Sequence, residues 1–353
     1  MDKKIKDIIE KLSECHSLSA DEYKLLINGR DDKSAELLRQ KADAVRQKYY
    51  GTDIYVRGLV EISNICKNDC FYCGIRASNK NCERYRLSKE EILACCDEGY
   101  SLGLRTFVLQ GGEDAHFTDE MLCDLIGEIK RRYPECAVTL SLGERSKESY
   151  KKLFEAGADR YLLRHETATD EHYAKLHPGN LSLANRVQCL ESLKDIGYQV
   201  GCGFMVGSPY QTTEHIVNDL LFIEKFQPDM CGIGPFIPHK DTPFASFEQG
   251  SVELTCYLLS IIRLICPSVL LPATTALGTI DKQGREKGIL AGANVIMPNL
   301  SPESARAKYE LYNGKLATGS EAAENLINIK ESMNKIGYRV VVSRGDVKKQ
   351  KEG

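Results

Sequence analysis

Residues 54–74 read Ile54-Tyr55-Val56-Arg57-Gly58-Leu59-Val60-Glu61-Ile62-Ser63-Asn64-Ile65-Cys66-Lys67-Asn68-Asp69-Cys70-Phe71-Tyr72-Cys73-Gly74. The run over 54–62, rich in Val, Ile, Leu and Tyr, predicts a strand. It empties into three cysteines separated by three and then two residues. Outward from it the same rhythm recurs. Apolar runs at 105–110, 136–142, 159–165, 198–206, 229–235, 269–273 and 293–297 alternate with amphipathic stretches such as 88–102, 118–132, 181–196 and 212–226. Strand and helix in alternation predict βαβ units with a parallel sheet. Eight such repeats predict an α/β fold closed as a (β/α)8 TIM-type barrel, with a doubly wound open sheet as the alternative.

Three parts follow from this reading. Residues 1–50 form an N-terminal helical extension, with Ser19-Ala20-Asp21-Glu22 as a helix start. Residues 51–300 form the barrel. Residues 301–353 form a C-terminal helical segment closing the barrel, its polar end from Ser343 to Gly353 frayed and disordered. No Gly/Ser- or Pro-rich linker divides the chain.

The 353 residues carry 47 Lys and Arg against 50 Asp and Glu, a net charge of −3. That balance provides no electrostatic footprint for nucleic acid or an anionic membrane. The N-terminus lacks the apolar block of a signal peptide, and the most apolar stretch, Leu254 to Pro272, is interrupted by Arg263 and Pro267. It reads as a buried helix followed by a strand, and the protein as cytoplasmic. Fourteen cysteines without an export signal read as reduced thiols. Cys123, Cys136, Cys189, Cys202, Cys231, Cys256 and Cys266 stand singly in apolar segments, where a free Cys packs as a small hydrophobe.

Only Cys66, Cys70 and Cys73 have ligand spacing. Three thiolates on one loop at the end of a strand can hold three irons of a cubane cluster and leave the fourth open. The alternative is a zinc site completed by Cys82 or a histidine. The second strand ends in Gln110-Gly111-Gly112-Glu113-Asp114, where glycines permit close backbone approach to a ligand and a carboxylate can receive an ammonium group. A plain turn is the bland alternative. Period two puts Thr139 with Ser141, and Arg164 with Glu166, on one face of their strands. If those faces point inward the mouth is a polar cavity; if outward, Arg164 and Glu166 form a rim salt bridge in water. His165 faces the other way as a structural histidine. Gly201 to Pro209 is small-residue-rich, allowing a bulky cofactor against the backbone. Thr274, Thr275 and Met297 end the last two strands, as pocket lining or as ordinary core.

The cysteine spacing resembles the signature of the radical S-adenosylmethionine (SAM) superfamily, and Gly112-Glu113 its Gly-Glu motif. The series CKNDCFYCGIR (66–76), RYRLS (84–88), VLQGGED (108–114), TLSLGE (139–144), RYLLRHETA (160–168), GIGPFIPHKDTP (232–243), LPATTALGT (271–279) and GANVIMPN (292–299) resembles the HydE family, the maturases of iron–iron hydrogenase. The likeness spans about residues 50 to 312. Biotin synthase and methylornithine synthase match these blocks less well.

The resemblance implies one 4Fe-4S cluster on Cys66, Cys70 and Cys73, with SAM bound inside the barrel top. Carried over by motif, Tyr72, Gly112, Glu113, Ser141, Glu166 and Arg186 become SAM contacts. Arg164, Met230, Thr274, Thr275, Met297 and Tyr309 become substrate contacts, Arg164 also with a catalytic role. The implied substrate is a small organometallic molecule, a cysteine-bound Fe(CO)2(CN) unit on its way to the hydrogenase H-cluster. Implied partners are a HydG-type supplier, a HydF-type scaffold and a reductant such as ferredoxin or flavodoxin, with neither nucleic acid nor membrane. Many HydE proteins carry three further cysteines near the C-terminus. Here none follows Cys266, and Leu316 to Ser320 stands in that place, so a second cluster is not expected.

Overall fold

Helix starts fall where a side chain takes up the free N–H groups of a first turn. Ser19 and Ser88 each close a capping box with a glutamate three residues on, Glu22 and Glu91, so the helix start predicted at Ser19 is formed. The computed structural model describes residues 1–315 and 322–348; residues 316–321 and 349–353 lie outside the described residues. In chain order the elements are α1 (Lys3–Cys15), α2 (Ala20–Asn28), α3 (Asp32–Tyr50), β1 (Asp53–Val56), β2 (Gly58–Ser63), α4 (Lys89–Ser101), β3 (Thr106–Gly111), α5 (Asp119–Arg132), β4 (Ala137–Ser141), α6 (Lys147–Glu155), β5 (Arg160–Leu162), α7 (Asp170–Leu176), α8 (Leu183–Ile196), β6 (Gln199–Cys202), β7 (Met205–Val206), α9 (Thr213–Phe226), β8 (Met230–Cys231), β9 (Gly234–Pro235), α10 (Val252–Ile265), α11 (Thr275–Ile280), α12 (Gly284–Leu290), β10 (Val295–Ile296), α13 (Glu303–Arg306), α14 (Ala322–Lys335) and β11 (Arg339–Val341).

The fold is α/β. Six strands pair in parallel in the order β2-β3-β4-β5-β6-β8, and a second sheet runs β10-β1-β11. Single parallel bridges, Met230 to Leu270, Pro272 to Val295 and Leu59 to Asn299, join the first sheet's outer members to β10. The seventh predicted strand, 269–273, is thus reduced to bridges. Leu254 to Pro272 does begin with a buried helix, α10, and the Arg263 that interrupts it is itself buried. Its guanidinium donates to the carbonyls of Gly292 and Pro267 and to Asn294 Oδ1, which meets the cost of burying a cation. Among the described residues no helix is long and apolar enough to cross a membrane.

Because the strands run parallel, their N-terminal ends share one side and their C-terminal ends the other. Beneath the N-terminal ends lies the chain's tail, which includes an unpredicted strand, β11. Ser343 to Lys348 does not fray. Arg160, fully buried, donates to the Arg344 carbonyl at 2.9 Å and to Asp346 Oδ1 at 2.5 Å. Arg344 reaches Asp159 at 2.8 Å, and Arg57 reaches the Gly345 carbonyl at 3.2 Å. The polar tail residues that suggested disorder are the partners of buried arginines on the strands. The expected disordered end is thus corrected for 343–348, and the rest of it, 349–353, lies outside the described residues.

Candidate active site at the C-terminal ends of the strands

The cysteine loop leaves β2 and has little regular structure, so side chains and isolated backbone bonds hold it. Lys67 N donates to the Glu113 carbonyl, Phe71 N to Leu176 O, and Gly74 N to Leu311 O. Asp69 takes a bond from Arg76 Nε at 2.8 Å and from Ser78 N at 2.9 Å. Gly112 lies against this loop. A Cβ there would fall 2.3 Å from the Ile65 carbonyl oxygen and 2.7 Å from Cys66 Cβ. The close approach predicted for this glycine is therefore to the cysteine loop itself. Gly203 in the small-residue segment, at φ +148, is likewise packed against protein backbone, between β8 and β9: a Cβ there would meet the Gly232 carbonyl oxygen at 2.1 Å.

Burial pushes all three loop thiols up from their ordinary range, Cys73 to about 12. A buried thiol stays protonated unless a cation compensates it, and bound iron is such a cation. Among the described residues no three Cys, His, Asp or Glu side chains are grouped to hold a single metal ion. A cubane asks for a different geometry, one thiolate per iron. Three cysteine thiols on one loop are donors of the kind that an iron-sulfur cluster takes.

Around the loop stand the other predicted residues. Glu113 is fixed from two sides, by Lys67 Nζ at 3.1 Å and by Glu144 N at 2.9 Å. A cleft of about 310 Å³ lined by Lys67, Glu144 and Arg145 opens beside it. Tyr72 bonds through its hydroxyl to His177 Nε2 at 3.2 Å. Ser141 ends β4 opposite Gln110. Arg186 is buried, with Nε on Glu144 Oε1 at 2.6 Å and Nη1 on the Arg164 carbonyl at 2.7 Å.

Arg164 and Glu166 do meet, at 3.1 Å, but not by strand alternation. β5 ends at Leu162, and Glu166 adopts φ +66, a left-handed conformation that costs a non-glycine residue about 1 kcal/mol or more. The contact lacks hydrogen-bond alignment. Arg164 Nε and Nη2 and Glu166 Oε2 are all buried without a hydrogen-bond partner, as are Thr139 Oγ1 and Thr274 Oγ1. A rim pair in water would be solvated; these atoms are not. Buried polar atoms without a hydrogen bond are costly, and a polar ligand or an ordered water in the site would satisfy them.

Thr274 precedes α11 and Thr275 begins it. Tyr309, buried, approaches Gln110, which carries the 303–315 segment over the strand ends. Met230 lies deeper. Its sulfur accepts from buried Arg57 at 3.0 Å and it packs with Tyr50, Tyr55, Leu270 and Val295, with Met297 at the edge of that cluster. His165 is structural, fully buried between Asp219 and the Gly203 N–H. Sequence reasoning missed a buried ion pair, Glu61 with Lys315, that joins β2 to the C-terminal segment. It also missed Glu144, Lys67 and Asn64 as holders of the site. Nothing in their local pattern separates them from surface polar residues.

Residues 60–223 match the model of the Radical SAM superfamily. The FeFe hydrogenase maturase subunit HydE of Thermotoga maritima is 45% identical over 311 residues, 88% of this chain and 88% of its own length. The 3-methylornithine synthase of Methanosarcina acetivorans is 28% identical, over 92% of this chain and 91% of its own. Among solved structures, methylornithine synthase (PylB) superposes with a TM-score of 0.83 at 25% identity, over 95% of this chain and 97% of its own. HydG, a maturase of the FeFe-hydrogenase, superposes at 0.81 and 22% identity, over 96% of this chain and 76% of its own, a likeness of fold.

Proposed function

This chain belongs to the radical SAM superfamily and, within it, to the HydE family, and from that premise we propose that it processes a cysteine-bound Fe(CO)2(CN) precursor during assembly of the FeFe-hydrogenase H-cluster. Cys66, Cys70 and Cys73 would hold one 4Fe-4S cluster, with SAM bound beside it. When bound, the pair supplies one-electron cleavage of the sulfonium to methionine and a 5'-deoxyadenosyl radical. One cluster is proposed rather than two, because no cysteine follows Cys266, where many HydE proteins carry three more.

The chain's own part is to bind, orient and exclude water. Glu113, held in place by Lys67 and Glu144 N, would receive the SAM ammonium on a carboxylate that the fold has already oriented. Tyr72, Gly112, Ser141, Glu166 and Arg186 complete the SAM contacts. Arg164, Thr274, Thr275, Met297, Tyr309 and, deeper, Met230 face the substrate, and Arg164 Nε and Thr274 Oγ1, which make no hydrogen bond within the chain, supply its polar contacts. The single bridges Met230 to Leu270, Pro272 to Val295 and Leu59 to Asn299 support reading the strands as a closed (β/α)8 barrel, with 1–50 as an extension, 303–315 over the C-terminal strand ends and 343–348 beneath the N-terminal ends. Closure excludes water from a radical. The reading places the protein in the cytoplasm, fed by a HydG-type supplier, reduced by ferredoxin or flavodoxin, and passing its product to a HydF-type scaffold.

The observation that carries the maturase assignment is the 45% identity to HydE along 88% of both chains. A mutase acting on a small amino acid is the second reading, favoured by the TM-score of 0.83 to methylornithine synthase. Anaerobic turnover of the reduced, reconstituted protein distinguishes them. The cysteine-ligated iron carbonyl cyanide complex should raise 5'-deoxyadenosine formation above background, and lysine should not. The reverse result selects the mutase. Cys70→Ala should abolish the brown colour and SAM cleavage together; cleavage retained in that variant would remove the ligand assignment.

A further inference from the structure

Arg84 sits between the cysteine loop and α4, half-buried, and no SAM or substrate role falls to it. Its guanidinium makes four hydrogen bonds, all to backbone carbonyls. Nη1 donates to Asn64 at 2.6 Å and Ile75 at 2.8 Å; Nη2 donates to Arg76 at 2.6 Å and Asn79 at 3.1 Å. Asn64 lies two residues before Cys66, and Ile75, Arg76 and Asn79 follow Cys73 within six residues. One rigid fork therefore ties the chain before the first cysteine to the chain after the last. The fork is itself anchored. Asn64 Nδ2 donates to the Glu83 carbonyl at 2.8 Å and Asn64 Oδ1 accepts from Tyr85 N at 2.8 Å, so the backbone on both sides of Arg84 is fastened.

We propose that Arg84 is a positioning residue of the cluster site, setting the span between Cys66 and Cys73 through these four carbonyls; the inference rests on the cluster reading above. The loop has no sheet ladder or helix to define that span. A guanidinium presents two NH2 groups at a fixed angle to two pairs of acceptors, which an ammonium on a flexible stem does not reproduce. Groups that orient metal ligands from behind typically change metal retention by about 10–100-fold when removed.

The test uses the full chain, reconstituted anaerobically, as wild type, Arg84→Lys and Arg84→Gln. The readouts are the half-time of iron loss to a ferrous chelator, the EPR signature of the reduced cluster, and thermal melting of the apoprotein. The expected result is iron loss about tenfold faster in both variants, with altered g-values and an apoprotein melting curve close to wild type. Lysine performing no better than glutamine assigns the effect to the fork rather than the charge. Wild-type iron loss and g-values in Arg84→Lys overturn the proposal, as does a lowered apoprotein melt with an unchanged EPR signature. Should Arg84→Gln fail to fold, Arg84→Lys alone decides. Failure of the cluster reading is distinguishable, because the wild type itself would then show no cubane spectrum.

Discussion

Substitution of Gly112 by alanine isolates the contact between β3 and the cysteine loop. The added Cβ would stand 2.3 Å from the Ile65 carbonyl oxygen and 2.8 Å from its carbon, roughly 1 Å inside an ordinary carbon–oxygen contact of about 3.3 Å. The obstructing atoms are backbone, so no rotamer change relieves them and the loop must move. Overpacking of this kind costs about 1–3 kcal/mol, or roughly 5- to 150-fold in the population of the native loop. The displaced residue is Cys66, and a misplacement of about 1 Å in a reacting constellation can lose ~100-fold in rate. Gly111 is the matched control one residue away. Its Cβ would meet nothing closer than the Ser63 carbonyl oxygen at 3.3 Å, at the edge of ordinary contact. Iron content and initial rates of 5'-deoxyadenosine release should fall at least tenfold in Gly112→Ala and stay within about threefold of wild type in Gly111→Ala. Equal behaviour of the two variants would refute the reasoning, because only the position of the added methyl differs.

Glu113→Gln should weaken SAM binding about 10- to 100-fold, the loss of a charge-assisted bond worth about 1.5–3 kcal/mol, measured by anaerobic equilibrium dialysis; unchanged affinity removes Glu113 from the site. His172 is held down to about 4 by burial, with Nε2 against the Pro209 carbonyl at 2.9 Å. Because its folded value lies below the unfolded value of about 6.5, its contribution to stability is complete above that value. It is lost as the pH falls toward 4. Melting curves from pH 7 to 4 should therefore slope more steeply for wild type than for His172→Asn, and parallel slopes contradict the assignment. Truncation after Val342 strips Arg160 of Asp346 and Arg57 of the Gly345 carbonyl. Orphaning buried cations costs about 3–5 kcal/mol, so the urea midpoint should drop by roughly 1 M; an unmoved midpoint would make the docked tail incidental.

Much of the fold was legible because period and capping are local signals. The helices predicted at 88–102, 118–132, 181–196 and 212–226 form at Lys89–Ser101, Asp119–Arg132, Leu183–Ile196 and Thr213–Phe226, and each is preceded by a Ser or Thr whose side chain caps it. The strand at 269–273 was less legible. Leu270 and Pro272 each make a single bridge, so the backbone satisfies too few ladder bonds to count as a strand although its residue types suit one. The tail was misread for an opposite reason. Arg344 and Asp346 have the composition of a solvated end, and only the buried guanidinium of Arg160 explains where they go.

At the site, spacing alone picked out Cys66, Cys70 and Cys73, because three thiols within eight residues stay close together whatever the fold does. Period two likewise suggested that Arg164 and Glu166 share a face. Only the tertiary structure decided that Glu166 reaches Arg164 through a left-handed turn, that Gly112 is reserved for the Cys66 backbone, and that Arg84 holds carbonyls on both sides of the cysteines. Local periodicity is written in neighbouring residues and survives in the sequence. Contacts between segments tens or hundreds of residues apart, such as Glu61 with Lys315, exist only once packing brings the segments together, and no short window of sequence encodes them.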